Sequence, residues 1–179
     1  MSSEYHSSDY SHWDEEGLRE GEFKRWYGNG NIREQKFYRN GKLEGSYKSW
    51  YENGQISSHG FYKNGKWDGE RRVWHYSGNL MMQAFYRNDD AEGMVKCWHI
   101  NGIPEICSFW KKGKKEGIRK YWSEDGCLLE REFYRNSIRI NFLNQNEQQG
   151  FSQIKRMFRK NMIRLLDTIL ISDLAKLCL

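Results

Sequence analysis

The sequence is poor in the residues from which most protein cores are built. Its 179 residues include one proline and two valines, and only 26 side chains are Val, Leu or Ile. Ten of those 26 fall within residues 151–179. Aromatic side chains are abundant instead, with eight Trp, eleven Tyr and nine Phe. Up to Gly150 the core must therefore be built mostly from rings.

Long apolar runs are also missing. No stretch approaches the roughly 20 uncharged apolar residues that a membrane-spanning helix needs. The first ten residues, MSSEYHSSDY, lack the basic-then-apolar order of a secretory signal. We therefore expect a soluble or peripheral protein that is intracellular and cytoplasmic.

The cysteines show neither a disulfide framework nor a zinc-binding pattern. None of the four, Cys97, Cys107, Cys127 and Cys178, stands in a CxxC spacing. Three of them fall at unrelated positions of the repeat described below. We predict free thiols in a reducing compartment.

Composition also bears on whether the chain folds. A mean hydropathy of −0.97 and 30% charged residues would be typical of a disordered chain. Disordered chains are poor in aromatic residues, however, and this one is 16% aromatic. We expect one folded domain with room for a small appendage.

A 24-residue period runs through the chain from Gly21 to about Ile140. Three columns of the repeat are predicted to be structural: an opening glycine, a tryptophan five residues later, and a phenylalanine that precedes a second ring and a basic residue. The glycines are Gly21, Gly45, Gly69, Gly93 and Gly117. The tryptophans are Trp26, Trp50, Trp74, Trp98 and Trp122. The phenylalanines are Phe37, Phe61, Phe85, Phe109 and Phe133.

Two turn signals divide each unit into two strands. Asn29-Gly30 and its equivalents favour a two-residue hairpin turn, because Asn and Gly tolerate positive backbone angles. Asn40-Gly41 and Asn64-Gly65 predict a second turn of the same kind, which grows less ideal in later units. The first strand carries two residues more than the second. We predict a bulge at the opening glycine that absorbs them.

Five such units predict a mainly β fold, an elongated single-layer antiparallel sheet of about ten strands. Side-chain alternation places the Trp and Phe columns on one face. The same alternation places on the other face the Tyr after each Phe and four aliphatic residues, Ile32, Ile56, Leu80 and Leu128.

The chain divides into four segments on this basis. Residues 1–20 hold an acidic N-terminal segment and a partial repeat, residues 21–141 the repeat array, and residues 142–150 a polar linker. Residues 151–179 have the spacing of a basic amphipathic helix. Its predicted contact residues are Phe151, Ile154, Phe158, Leu165 and Ile169. Three binding sites remain open for this helix: an end or face of the array, which it would cap, a groove on a partner protein, and a membrane surface.

The consensus of the units, G-x-x-x-x-W-Y-x-N-G-x-I-x-x-x-x-F-Y-R-N-G-K-x-E, resembles the MORN repeat in its longer variant. The resemblance implies a sheet of stacked hairpins. It also implies contexts known for such repeats, namely bacterial antitoxin-like proteins, large DNA viruses and membrane-proximal scaffolds. If the chain is viral, virion association replaces the cytoplasmic expectation. Pro104 and Asn141 depart from the pattern, and the array is expected to loosen or end there.

Enzyme chemistry finds no support in the sequence. His75 and His99 share a column, but equivalent positions are roughly 10 Å apart, whereas zinc ligands lie about 2 Å from the metal. We expect each to replace the tyrosine of other units as a half-exposed ring. The paired acids Asp89-Asp90 and Glu124-Asp125 fall in turns, where Asp is favoured locally. We predict no enzyme, no metal and no cofactor.

Basic and aromatic columns remain as candidate contact sites. The residues predicted to touch a partner are Tyr27, Tyr51, His75, His99, Lys24, Lys48, Arg72, Lys96 and Lys120. Residues 21–141 contain 22 bases and 15 acids, which disfavours nucleic acid. We expect a protein partner, with anionic lipid and self-association through the sheet edge or the C-terminal helix left open.

These observations predict a non-catalytic scaffold for protein–protein interactions. Two alternatives stay open. One is a virion-associated or membrane-peripheral structural component that uses the basic helix. The other, implied by the resemblance to bacterial variants, is an antitoxin-like inhibitor of a small toxic protein.

Overall fold

The computed structural model of the protein describes residues 12–13 and 15–140. Every regular element in these ranges is a strand, and no helix there is long and apolar enough to cross a membrane. The strands are β1 (His12–Trp13), β2 (Arg19–Trp26), β3 (Ile32–Arg39), β4 (Lys42–Leu43), β5 (Gly45–Trp50), β6 (Ile56–Lys63), β7 (Lys66–Trp67), β8 (Gly69–Trp74), β9 (Leu80–Arg87), β10 (Asp90–Ala91), β11 (Gly93–Trp98), β12 (Pro104–Lys111), β13 (Lys114–Trp122), β14 (Leu128–Arg135) and β15 (Ile138–Ile140).

All of these strands belong to one antiparallel sheet in chain order. β2 to β15 form a continuous sheet of fourteen strands, and β1 pairs with β2 at its edge. The prediction of a mainly β, single antiparallel sheet is confirmed. The predicted C-terminal helix lies outside the described residues. Pro104 does not loosen the array, because it opens β12 and faces Trp98 across the strand pair.

The opening glycine interrupts its strand, as predicted, in the second to fifth units, whereas β2 runs through Gly21 without a break. Between Glu116 and Arg119, β13 carries two extra residues, Gly117 and Ile118, against the consecutive pair Phe109 and Ser108 of β12. Gly117 has a φ of 73°, which a side chain would disfavour. In the second, third and fourth units the same glycine begins a six-residue strand, and the acid before it separates this strand from a two-residue strand.

The two turns of a unit differ from each other, and the prediction for the first was wrong. At Asn40-Gly41 both residues have positive φ, 49° and 72°, as a two-residue hairpin turn requires. In the first turn only Gly30 does, with a φ of 86°. There Tyr27 pairs through its backbone with both Gly30 and Asn31, which makes a three-residue loop ending in a left-handed glycine.

A second irregularity, just before each tryptophan, decides which face the aliphatic column occupies. Arg25 faces Glu34 but Trp26 faces Ile32, so Arg33 is an extra residue on β3. The same shift precedes the tryptophan of the other four units. Because directly opposed residues share a face, the Ile and Leu column lies with the tryptophans. Its predicted placement with the tyrosines was wrong, since the alternation reverses at this bulge.

The sheet therefore has two distinct faces. The tryptophan face carries the Trp, Ile/Leu and Phe columns, and the tyrosine face carries the ring that follows each Phe. On the tyrosine face, Trp67 stacks on Tyr62 with centroids 3.8 Å apart, and the Arg71 guanidinium lies 4.5 Å from the Trp67 ring. A Cβ at Gly60 would meet the Trp67 ring at 2.7 Å, so glycine is required beneath it.

Candidate interaction surface

The column of Tyr27, Tyr51, His75 and His99 joins each unit to the next. The Tyr27 hydroxyl donates to the Trp50 carbonyl at 2.8 Å, and Tyr51 donates to Trp74 at 2.6 Å. His75 Nε2 bonds the Trp98 carbonyl and His99 Nε2 the Trp122 carbonyl, both at 2.9 Å. Since a carbonyl only accepts, each Nε2 carries the proton.

The histidines thus replace tyrosine as donors in half-buried positions, as expected. The polar atom of each of these four rings already serves the fold. Only the ring surfaces remain for the contact role predicted for them, which stays a prediction.

An acidic column that the sequence analysis did not single out makes a second link between units. Each carboxylate accepts the backbone N–H of the left-handed residue that opens the second turn, twenty residues later. The distances run from 2.7 Å for Glu44 with Asn64 to 3.3 Å for Asp68 with Asn88. The other three pairs are Glu20 with Asn40, Glu92 with Lys112 and Glu116 with Asn136. The recurrence of an acid every 24 residues was the available signal.

The predicted basic column forms part of a continuous row across the tryptophan face. Backbone pairing places one residue of each successive long strand directly opposite the next. In sheet order this cationic row is Lys24, Gln35, Lys48, His59, Arg72, Gln83, Lys96, Cys107, Lys120 and Arg131. It contains six Lys or Arg residues and no carboxylate. At about 4.8 Å per strand the row is about 43 Å long.

Two glutamates beside the row hold part of it in place. The Lys24 ammonium lies 2.8 Å from Glu22, and the Arg72 guanidinium lies 2.8 Å from Glu70. The hydrogen bond from Lys24 is the main cause of a lowered Glu22 pKa. The pKa of Glu70 is lowered chiefly by a hydrogen bond from Gln83 and then by Arg72. Both carboxylates therefore stay ionised, and each balances the cation beside it.

His59 sits in the row between two cations. Burial lowers its pKa, and the charges of Lys48 and Arg72 lower it further. Its Nε2 lies 3.4 Å from the Ser46 hydroxyl. The ring is therefore neutral near pH 7, and it adds a polar surface rather than a seventh charge.

Apolar side chains flank the cationic row on both sides. The Phe column runs along one side, where Phe61 is 42% and Phe85 47% exposed. The Trp and Ile/Leu columns run along the other side, with the five tryptophans half-buried. The tryptophan face thus presents a charged stripe between the apolar Trp and Ile/Leu stripe and a mixed Phe stripe, in which Glu22, Ser46 and Glu70 stand opposite the rings. The structural roles assigned to the Gly, Trp and Phe columns remain predictions.

The tyrosine face ends in a polar cluster around Glu132. This carboxylate accepts hydrogen bonds from Tyr121 at 2.7 Å and Tyr134 at 3.0 Å, and it lies 3.0 Å from Arg139. The bond from Tyr121 is the main reason that the pKa of Glu132 is lowered. Burial raises the pKa of Tyr121 to about 12. The cluster is internally matched and ties β15 to β13 and β14.

Groups with catalytic chemistry are dispersed. Within residues 12–13 and 15–140 no three His, Cys, Asp or Glu side chains are grouped to hold a metal ion. Cys97, Cys107 and Cys127 are not in disulfides, and burial raises the pKa of Cys97. Asp89 accepts the backbone N–H of Trp67 at 2.8 Å, so this turn acid has a structural bond. Cys178 lies outside the described residues.

These features define a repeat protein of stacked hairpins whose side chains join neighbouring units. The family model for the MORN repeat variant matches three consecutive stretches, residues 19–40, 43–64 and 67–88. These three stretches are therefore similar to MORN repeats, in agreement with the resemblance in the sequence. No curated protein matches the chain significantly.

Proposed function

We propose that this protein is a non-catalytic scaffold that binds another protein through its tryptophan face. The observation that carries the proposal is the cationic row, which places six Lys or Arg side chains in one line between the Trp and Ile/Leu stripe and the Phe stripe. Interfaces typically combine apolar contact area with charges that set register and partner choice.

Side-chain links between units support this role. The bonds from the Tyr51 hydroxyl to the Trp74 carbonyl and from the Asn64 N–H to the Glu44 carboxylate tie neighbouring hairpins together. A partner therefore meets a surface whose charges are already positioned. Less ordering entropy is then lost on binding.

A non-catalytic role agrees with the state of the titratable groups. His75 and His99 already donate to backbone carbonyls. The best-buried carboxylate, Glu132, already accepts bonds from two tyrosines. Neither arrangement leaves a poised acid or base beside an enclosed site, as general acid–base catalysis would need.

Anionic lipid is a second candidate ligand, because exposed Phe61 and Phe85 lie beside the cations. Flotation with anionic liposomes, comparing the full chain with a chain ending at residue 150, tests the membrane-peripheral alternative. Loss of flotation on truncation would assign it to residues 151–179. The virion-associated and antitoxin-like alternatives rest on the resemblance alone, and no contact described above favours them.

Affinity capture from the native host cells tests the scaffold proposal. The bait is the full chain, compared with a Lys48→Gln/Lys120→Gln double variant and a Lys63→Gln/Lys111→Gln variant of equal net charge. We expect a specific protein to be retained by the wild type and the second variant but not by the first. Retention of the same proteins by all three would argue against binding through the row.

A further inference from the structure

The spacing and curvature of the cationic row define which kind of partner it fits. Five of its six cations recur once per hairpin unit, in Lys24, Lys48, Arg72, Lys96 and Lys120. Two strands per unit set this recurrence at about 9.6 Å. A ligand that meets all five cations needs negative charges at the same interval.

Polyproline II geometry supplies this interval. Its rise of about 3.1 Å with three residues per turn repeats every ~9.3 Å on one side of the chain. In a β-strand, side chains on one side recur about every 6.8 Å, and in an α-helix the nearest same-face repeats fall at about 6 and 10.5 Å. An extended chain with an acid at every third residue therefore matches the row best.

Sheet twist makes a flexible ligand necessary. Adjacent strands rotate by roughly 20–25°, so successive cations turn by roughly 40–50° about the row. At this average twist the rotation over nine steps is roughly 200°, so we expect the two ends of the row to face different directions. A flat bilayer or a rigid helix can meet only part of such a row. A polyproline II segment can follow it, because it has no internal hydrogen bonds to break.

The chain's own tails fit the row poorly. Residues 151–179 carry Lys155, Arg156, Arg159, Lys160 and Arg164, which repel a cationic row. Residues 1–11 precede β1 and contain only two acids, Glu4 and Asp9. We therefore expect the negative charges that meet the row to come from another molecule.

A nucleic-acid strand is the other flexible polyanion. Its phosphates recur at closer intervals than one per 9.6 Å, so most would lack a cation in the row. Glu22 and Glu70 stand beside the row as ionised carboxylates. They repel a continuous line of phosphates more than they repel carboxylates spaced one per unit.

We propose that the cationic row binds an extended acidic segment of a partner protein in polyproline II conformation, with Asp or Glu at every third residue. This inference rests on the proposed scaffold function and deepens it. The acids lie opposite the five recurring cations, of which Lys24 and Arg72 also contact Glu22 and Glu70. The intervening residues contact the Phe stripe on one side and the Trp and Ile/Leu stripe on the other.

Fluorescence anisotropy with labelled peptides and the full chain tests the proposal. The matched peptide is (Glu-Pro-Pro)5, which spans about 46 Å in polyproline II form. The clustered peptide has the same composition with its five glutamates in one central run, and (Gln-Pro-Pro)5 is the uncharged control. The clustered run spans only about two cations, and Lys24 and Arg72 already contact Glu22 and Glu70. The matched peptide therefore gains between about one and about three further ion pairs. With a factor of roughly two for each exposed pair, it should bind roughly two- to eightfold tighter.

Variants of the protein test whether the cationic row itself binds the matched peptide. Lys48→Gln/Lys120→Gln should weaken binding of the matched peptide roughly fourfold. Lys63→Gln/Lys111→Gln removes the same charge from exposed strand ends. It should change the affinity for the matched peptide less than 1.5-fold, since charges distant from the row are screened at physiological salt. Unchanged tryptophan fluorescence and melting would confirm that both variants fold.

Two results would overturn the inference. Equal affinity for the matched and clustered peptides would contradict the spacing argument. It would leave the scaffold proposal unaffected, because the capture experiment tests that proposal separately. Tighter binding of a 15-nucleotide oligo(dT) than of the matched peptide, lost in Lys48→Gln/Lys120→Gln, would assign the row to nucleic acid.

Discussion

Removing the Tyr51 hydroxyl tests the link between hairpin units most simply. Tyr51→Phe deletes the 2.6 Å bond to the Trp74 carbonyl and keeps the ring, which packs edge-on against Tyr76 at 5.2 Å. A hydrogen bond of this kind contributes about 0.5–1.5 kcal/mol net. The half-buried carbonyl also loses its side-chain donor, so we expect the free energy of unfolding to fall by about 1 kcal/mol.

Urea unfolding followed by tryptophan fluorescence measures this loss. With a slope of about 2 kcal/mol per molar urea, the midpoint should fall by about 0.5 M. The matched control is Tyr76→Phe, which removes a hydroxyl from a side chain that is 59% exposed. Its midpoint should move by less than half as much. Equal shifts for the two variants, or none for Tyr51→Phe, would refute the idea that this column joins the units.

Two further predictions concern packing and charge. Gly60→Ala should lower the free energy of unfolding by about 1–3 kcal/mol, because the new Cβ would meet the Trp67 ring at 2.7 Å. Gly28→Ala, where a Cβ meets nothing within 4 Å, should change it little, and urea unfolding that ranks the two variants the other way would contradict this packing. The pKa of His59, followed by NMR, should lie below 6.5 and rise in Lys48→Gln, because the Lys48 charge helps to lower it.

The His59 prediction also fixes the sign of a pH effect. Because folding lowers the pKa of His59, the unfolded chain binds the proton more tightly. The contribution of neutral His59 to stability is therefore complete above pH 6.5, and it is lost as the pH falls toward the folded-state pKa. His59→Gln should flatten the stability profile in that window, and an unchanged profile would contradict the assignment.

Much of the fold could be predicted because its turns and strands are local. Two adjacent residues, Asn40 and Gly41, define the second turn of the first unit. The equivalent residues of the fifth unit, Asn136 and Ser137, also have positive φ, 65° at Ser137, although their sequence is less favourable for this turn. The excess of two residues before Arg119 was also visible as a difference in strand length. Such features depend on a few neighbouring residues, so a single unit reveals them.

Features that depend on the register between strands could not be predicted. The bulge at Arg33 moves Ile32 onto the tryptophan face, and nothing in the residues around Ile32 marks it. The acceptor of the Tyr27 hydroxyl lies 23 residues away, at Trp50. The ring was visible as a column, but its partner becomes apparent only when two hairpins lie side by side.

The candidate surface was predicted in part. Lys24 and its equivalents were identified from their period, while Gln35, His59 and Arg131 recur with the same 24-residue period on the other strands but share no residue type. Only backbone pairing shows that these residues form one row. The sequence therefore predicted separate basic positions, and the sheet converts them into a continuous stripe.

The tryptophan indoles can report directly on which face binds. Trp26, Trp50, Trp74, Trp98 and Trp122 lie on the tryptophan face, whereas Trp67 and Trp110 lie on the tyrosine face. We would titrate 15N-labelled protein with (Glu-Pro-Pro)5 and follow the indole N–H signals in a 1H–15N spectrum. Binding through the cationic row should shift the first five signals and leave the signals of Trp67 and Trp110 in place. Shifts confined to Trp67 and Trp110 would show that the ligand occupies the opposite face, and would contradict the account.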